Sequence, residues 1–170
     1  MRYGREISLL DERTFWGSHL TRWPGDVVER AGMSTEDARY LSTVGLPVGV
    51  DWTLEMQQPS PGSTVTVHEG LPVLAREEPA AICLDMGTGH VVSLLGGRGP
   101  LVVNSSVGLF GRFLMVYQFY RVKVVYLEEK GAESLIEDVY LEMVRDDEPC
   151  MRAGSFYWPR IVAQMRQGEL

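Results

Sequence analysis

The chain has 170 residues, of which 45% are hydrophobic and 23% are charged, and its formal net charge is −7. This composition is typical of one globular domain with a core of its own, and it excludes a disordered chain. Two cysteines are too few for a disulfide framework, and the acidic balance argues against binding to nucleic acid, which requires clustered lysine and arginine.

The first residues lack the apolar run and small-residue cleavage site of a signal peptide. No stretch approaches the roughly 18 apolar residues of a membrane-spanning helix. We therefore expect a cytoplasmic protein without a membrane partner. Cys83 and Cys150 lie far apart in the sequence, so we expect both to be reduced thiols.

The first clear helix signal runs from Thr35 to Val44. Ser34 precedes it as an N-cap candidate, and Gly45 and Pro47 end it. Five strands are predicted after this helix, either because apolar and polar residues alternate or because the segment is apolar on both faces. They are predicted over Trp52–Met56, Thr64–Val67, Ala80–Asp85, His90–Leu95 and Leu101–Asn104.

A second helix is predicted after the last strand, with Ser105 or Ser106 as its N-cap. Its apolar residues recur at helical spacing: Leu109, Phe110, Phe113, Leu114 and Tyr117. Gly108 and Gly111 lie one turn apart on it. Glycine costs a helix about 1 kcal/mol against alanine, so we expect this pair to permit close approach of the helix to the sheet.

The segment Glu128–Glu148 carries a net charge of −7, equal to that of the whole chain. It predicts a helix whose apolar side consists of Leu135, Ile136, Val139, Tyr140, Met143 and Val144. The opposite side should expose Glu133, Glu137, Asp138 and Glu142. Asp146 and Asp147 fall at the C-terminal end, where the helix dipole disfavours negative charge, so helix stability does not explain them. The face is either simply solvated or binds a basic partner.

No catalytic constellation is evident. Asp85 in "LDMGTG" resembles a phosphate-binding turn, but a strand returns at once, so Asp85 is better interpreted as a turn former. "GGRGP" at 96–100 lacks the Lys-Ser/Thr of a phosphate loop. His19, His68 and His90 are scattered. We predict no catalytic residue, no cofactor and no metal site.

Three motifs carry a family resemblance: "YLSTVGLP" at Tyr40–Pro47, the "ICLD" strand with its "TG" turn, and "NSS" at Asn104–Ser106. In this order they resemble the SMI1/KNR4-like (SUKH) superfamily, and most closely the SUKH-4 group of bacterial immunity proteins. The resemblance implies an α+β fold with a mainly antiparallel sheet of about five or six strands flanked by helices. We expect one such domain over residues 1–170. Residues 1–30 do not align with the pattern and are interpreted as family-specific decoration.

The resemblance also implies a function. SUKH-4 proteins bind and neutralise a cognate polymorphic toxin, and the targets of the superfamily include nucleases and nucleic-acid deaminases with basic substrate grooves. The alternative is a regulatory or scaffolding module without a toxin partner. If a toxin binds, we expect the acidic face to be the partner-binding surface, formed by Glu133, Glu137, Asp138, Glu142, Asp146 and Asp147.

Overall fold

The structure is a computed structural model that describes residues 3–50, 54–152 and 157–169. Its helices are α1 (Gly4–Ser8), α2 (Glu12–Trp16), α3 (Gly25–Arg30), α4 (Thr35–Thr43), α5 (Val107–Val124), α6 (Glu129–Asp146), α7 (Glu148–Met151) and α8 (Tyr157–Gln167), with a short 3-10 turn at Gly17–His19. Its strands are β1 (Leu20–Thr21), β2 (Leu46–Pro47), β3 (Glu55–Met56), β4 (Val67–His68), β5 (Leu71–Glu77), β6 (Ala80–Leu84), β7 (Val91–Leu95) and β8 (Leu101–Asn104).

The main sheet is antiparallel in every described pairing and has the strand order β3-β5-β6-β7-β8, with β4 also paired to β5. A separate two-stranded ribbon joins β1 to β2. The predicted α+β class, with about five or six antiparallel strands and flanking helices, is confirmed.

Alternation along the strands gives the sheet two apolar faces. Leu74, Ile82, Leu84, Val91 and Val103 belong to the large core that the sheet shares with the helices. The residues between them form a second buried cluster on the other face: Val73, Ala81, Cys83, Val92 and Leu94. Burial on both faces explains why β6 is a continuous apolar run in the sequence and why β7 is apolar except at the buried Ser93.

The strand prediction was wrong at one edge. β5 pairs with three strands but was not among the predicted strands, and the predicted strand Thr64–Val67 is replaced by the short β4. Glu69 and Gly70 join β4 to β5 with φ of 50° and 82°, a two-residue turn in the left-handed region typical of tight hairpins. Of the predicted strand Trp52–Met56, Glu55–Met56 forms β3, and Trp52 lies outside the described residues.

The two long helices agree with their sequence signals. Ser106 caps α5 by accepting a hydrogen bond from the Leu109 N–H at 3.2 Å. Phe110, Phe113 and Leu114 are fully buried, and so are Leu135, Val139 and Met143 on α6. These two helices pack against each other and against the sheet, so the core lies between α5, α6 and the strands.

The glycine pair on α5 serves a different contact from the one predicted. A Cβ on Gly111 would lie 1.9 Å from the Tyr40 hydroxyl, and one on Gly108 would lie 3.5 Å from the Tyr40 ring. Tyr40 belongs to α4, so the glycines make room for a helix-to-helix contact rather than for the sheet. The predicted approach to the sheet was therefore wrong.

The N-terminal segment contributes to the main core. Ile7, Trp16 and Trp23 are buried in it, and all three lie in the stretch interpreted above as decoration. The interpretation of residues 1–30 as family-specific decoration stays a prediction.

Candidate protein-binding surface

The structure divides the six predicted partner-binding carboxylates into two groups. Asp138, Glu142 and Asp147 are buried, with exposed fractions of 3%, 6% and 3%. Asp146 is mostly covered, whereas Glu133 and Glu137 are exposed. The prediction that all six lie on a solvent face was wrong, because α6 is covered on two sides rather than one.

Asp147 is the centre of a buried hydrogen-bond network. Its carboxylate accepts the Ser105 N–H at 2.8 Å, the Ser105 hydroxyl at 2.7 Å and the Asn104 side-chain amide at 3.2 Å. The Asn104 carbonyl oxygen in turn accepts the Trp158 indole N–H at 2.8 Å. The "NSS" motif therefore joins β8 to the end of α6 and to α8. Fold stability, rather than partner binding, accounts for Asp147.

Asp146 also has a structural partner. Arg112 on α5 donates to its carboxylate at 3.2 Å, and donates to the backbone carbonyls of Ile7 at 2.9 Å and Leu10 at 3.2 Å. One guanidinium thus connects α5 and α6 to α1 and to the short connection between α1 and α2. The cation compensates the unfavourable position of Asp146 at a helix C-terminus, which the sequence argument did not include.

Asp138 and Glu142 are both buried and hydrogen-bonded within the fold. The Asp138 carboxylate accepts the Tyr3 N–H at 2.6 Å, which fixes the start of α1 against α6. Glu142 accepts a hydrogen bond from Arg145 at 3.0 Å. Burial raises the pKa of the Glu142 carboxyl, while the Arg145 charge acts in the opposite direction. Neither carboxylate is open to a partner in this arrangement.

The exposed acids of α6 form a row, which we call the acidic stripe. Glu129, Glu133 and Glu137 are exposed and follow one another at a spacing of four residues, which places them on one side of the helix. Glu137 has an exposed ion pair with Arg166 at 3.3 Å. Among the residues that the structure describes, Glu129 and Glu133 have no ion-pair partner. Glu129 was not among the predicted site residues, although its spacing is visible in the sequence.

The residues considered as candidates for catalysis or metal binding have structural roles. Asp85 accepts the Gly87 N–H at 2.9 Å and the Thr88 hydroxyl at 2.8 Å, as a turn former does. Burial raises the pKa of the Cys83 thiol to about 11 and that of Cys150 to about 12, so neither is a thiolate at neutral pH. Within the described ranges, no group of three or more His, Cys, Asp or Glu residues is placed to hold a metal ion.

A cleft of about 260 Å³ lies between the start of α2, α4 and α5. Glu12 and Tyr40 line it, and the Tyr40 hydroxyl donates to the Glu12 carboxylate. Burial raises the pKa of Glu12, and the nearby Arg112 charge opposes the shift. The cleft therefore contains a closed hydrogen-bonded pair, not an acid and a base with free access to a substrate.

A family model described as SUKH-4 immunity protein matches residues 10–164. The chain belongs to the SUKH-4 immunity protein family. The match covers the whole sheet and α2 to α7, including the Asp147 network and the acidic stripe. Membership implies a role in immunity against a toxin.

No curated protein and no solved structure showed a significant match to the chain. None of the described helices combines the length and the apolar character that crossing a bilayer requires.

Proposed function

We propose that this SUKH-4 protein is a non-enzymatic immunity protein that binds a cognate polymorphic toxin domain in the bacterial cytoplasm and blocks it. The observation that supports the location of the binding site is the acidic stripe, an exposed row of glutamates on a helix whose opposite side is packed in the core. The other predicted site residues, Asp138, Glu142, Asp146 and Asp147, hold the fold.

Folding gives little reason for the stripe. Like charges four residues apart destabilise a helix by about 0.2–0.5 kcal/mol per pair, and Glu129, Glu133 and Glu137 make two such pairs. Only Glu129 lies in the first turn, where the helix dipole favours an acid. Binding to a cationic partner supplies the missing reason, since it compensates Glu129 and Glu133, which have no ion-pair partner among the described residues, and adds to the Arg166 charge beside Glu137.

The toxin that fits this surface is a nuclease or a nucleic-acid deaminase. Such enzymes bind a phosphate backbone through clustered lysine and arginine, and the carboxylates of the stripe present negative charge to the same groove. The stripe also repels nucleic acid, so the protein competes with the toxin's substrate without binding it. Because the opposite side of α6 is packed in the core, the helix presents the three glutamates from backbone positions that are set before the partner arrives.

The test is surface plasmon resonance against the purified toxin domain encoded beside this gene, at several salt concentrations. Glu129→Gln, Glu133→Gln and Glu137→Gln are combined in one variant. The control combines Glu29→Gln, Glu36→Gln and Glu55→Gln, which remove three exposed charges on α3, α4 and β3.

We expect the stripe variant to associate about tenfold or more slowly at low salt, with a weaker salt dependence, because electrostatic steering acts over a screening length that falls from about 30 Å at 0.01 M to about 8 Å at 0.15 M. Its melting temperature should be unchanged or higher. Equal association rates for the stripe variant and the control would exclude the stripe. A wild-type chain that neither binds the toxin nor rescues growth on co-expression would favour the scaffolding role instead.

A further inference from the structure

Three apolar side chains are exposed where α5 ends and the turn to α6 begins. Val122, Val125 and Tyr126 are 52%, 71% and 83% exposed. Val122 lies in the last turn of α5, and Val125 and Tyr126 lie in the turn that follows it. The Tyr126 N–H bonds to the Lys123 carbonyl at 3.1 Å and the Leu127 N–H to the Val124 carbonyl at 3.1 Å, both three residues back, so this turn is tighter than an α-helix. We call these three residues the apolar patch.

Neither packing nor helix propensity explains the patch. Phe119, one turn earlier, is buried, and Val124 and Leu127 are partly buried against the main core, so the core contact continues here without the patch residues. Exposed apolar residues that are scattered singly are ordinary on protein surfaces, whereas exposed apolar residues that cluster mark a candidate interaction site, and this cluster has three within five residues. Valine is also a weaker helix former than alanine or lysine.

The patch adjoins the acidic stripe in the chain. Exposed Glu128 and Glu129 follow Tyr126 directly after Leu127, and Glu133 lies one turn further along α6. Lys130 is the only cation between Tyr126 and Glu133, so this stretch has a net charge of −2. An aromatic and aliphatic centre beside carboxylates is the arrangement of a protein interface, in which a few apolar anchors, tyrosine among them, provide most of the affinity and the charged rim sets orientation.

We propose that the apolar patch is the anchor of the toxin-binding surface, with Tyr126 at its centre and the acidic stripe as its charged side. This inference rests on the proposed function and adds the chemistry of the occupant: a basic protein domain with an apolar depression flanked by lysine or arginine. An anionic membrane surface does not fit, because the same carboxylates repel it.

The two parts of the surface should affect different rate constants. Charges act at a distance and control association, whereas a desolvated aromatic anchor controls dissociation. Tyr126→Ala should raise the dissociation rate from the adjacent-gene toxin domain about 30-fold or more, which is the size of an interface hot spot, and leave association nearly unchanged. The double variant Val122→Ala, Val125→Ala should act in the same direction with a smaller effect. Val67→Ala, at an exposed valine on β4, is the matched control and should bind as the wild type does.

Melting temperatures of these variants should match the wild type, because the replaced side chains are exposed. If Tyr126→Ala dissociates from the toxin at the wild-type rate while the wild-type chain still binds the toxin, this inference is overturned and the proposed function still stands. A wild-type chain that does not bind the toxin would overturn both. Sedimentation equilibrium gives a further check, since a dimer that Tyr126→Ala converts to a monomer would assign the patch to self-association and overturn the inference.

Discussion

Asp147 and Ser105 are joined by two hydrogen bonds, from the Ser105 backbone N–H at 2.8 Å and from its hydroxyl at 2.7 Å, across 42 residues of chain. Together they close the junction between β8 and α5 over the end of α6. The same carboxylate holds the buried Asn104 amide, which in turn accepts the Trp158 indole N–H. This junction is a structural hub, and it can be tested without a toxin.

Asp147→Ala should lower the free energy of unfolding by about 3 kcal/mol or more. A buried donor left without an acceptor costs about 1–3 kcal/mol, and this variant removes the acceptor of the Ser105 N–H, the Ser105 hydroxyl and the Asn104 amide. Urea denaturation is the measurement. Glu148→Ala is the control: Glu148 is exposed and has only a surface ion pair with Arg152, so its loss should cost well under about 1 kcal/mol. Similar stability of the two variants would contradict the hub.

Phe113→Ala should destabilise the protein by about 3–5 kcal/mol, the usual cost of removing a phenyl ring from a core. Phe113 is fully buried and meets the Trp158 ring edge-on at a centroid distance of 5.3 Å. Val122→Ala, at an exposed site on the same helix, should change stability by less than about 0.5 kcal/mol. A loss of less than about 1 kcal/mol for Phe113→Ala would remove this face of α5 from the core.

Gly111→Ala should cost about 1–3 kcal/mol, because its Cβ would overlap the Tyr40 hydroxyl and force α4 or α5 to shift. The matched control is Gly25→Ala at the start of α3, where an added Cβ meets nothing within 4 Å. Removing the hydroxyl should relieve part of the strain, so a double-mutant cycle with Tyr40→Phe should show a coupling between the two sites. Additive losses would contradict this explanation of the glycine.

Asp85→Asn should destabilise the β6–β7 hairpin in a pH-dependent manner. Hydrogen bonds from the Thr88 hydroxyl and the Gly87 N–H hold the pKa of Asp85 below its ordinary value of 3.8. A lowered pKa in the folded state stabilises the protein above the unfolded pKa, and that contribution disappears as the pH falls through the folded pKa. The stability difference between wild type and variant should thus be constant above about pH 5 and shrink below about pH 4.

Thr88→Val keeps the Asp85 carboxylate but removes the Thr88 hydroxyl that donates to it. This variant should also be less stable than the wild type, and the stability difference should depend less on pH than that of Asp85→Asn. Thermal melts from pH 3 to pH 7 distinguish the two variants. Toxin binding should be intact in both, since neither residue lies on α6. Nucleotide turnover that disappears in Asp85→Asn would contradict the assignment of this residue to the turn.

Local patterns in the sequence determined α4, α5 and α6, together with the inward faces of α5 and α6. Ser34 and Ser106 accept the hydrogen bonds that caps require, and the apolar residues of α5 and α6 face the core, because capping and helical periodicity depend only on residues within a few positions of one another. The three motifs at Tyr40–Pro47, in β6 and at Asn104–Ser106 also identified the family. The strand β5, in contrast, was missed, because its identity as a central strand depends on pairing with β3, β4 and β6 together.

Only the tertiary structure decided which carboxylates face water. Periodicity places Asp138 on the polar side of α6, but the Tyr3 N–H, 135 residues away in the chain, covers it there. Asp147 is buried because Ser105 and Asn104 reach it from β8, and Asp146 is compensated by Arg112 from α5. A helix in contact with elements on two sides buries part of its polar face, and those contacts come from distant chain positions that the local pattern does not encode. Glu129 and Glu133 stay exposed on α6, and Glu137 stays exposed beside Arg166 of α8, with which it forms a surface ion pair.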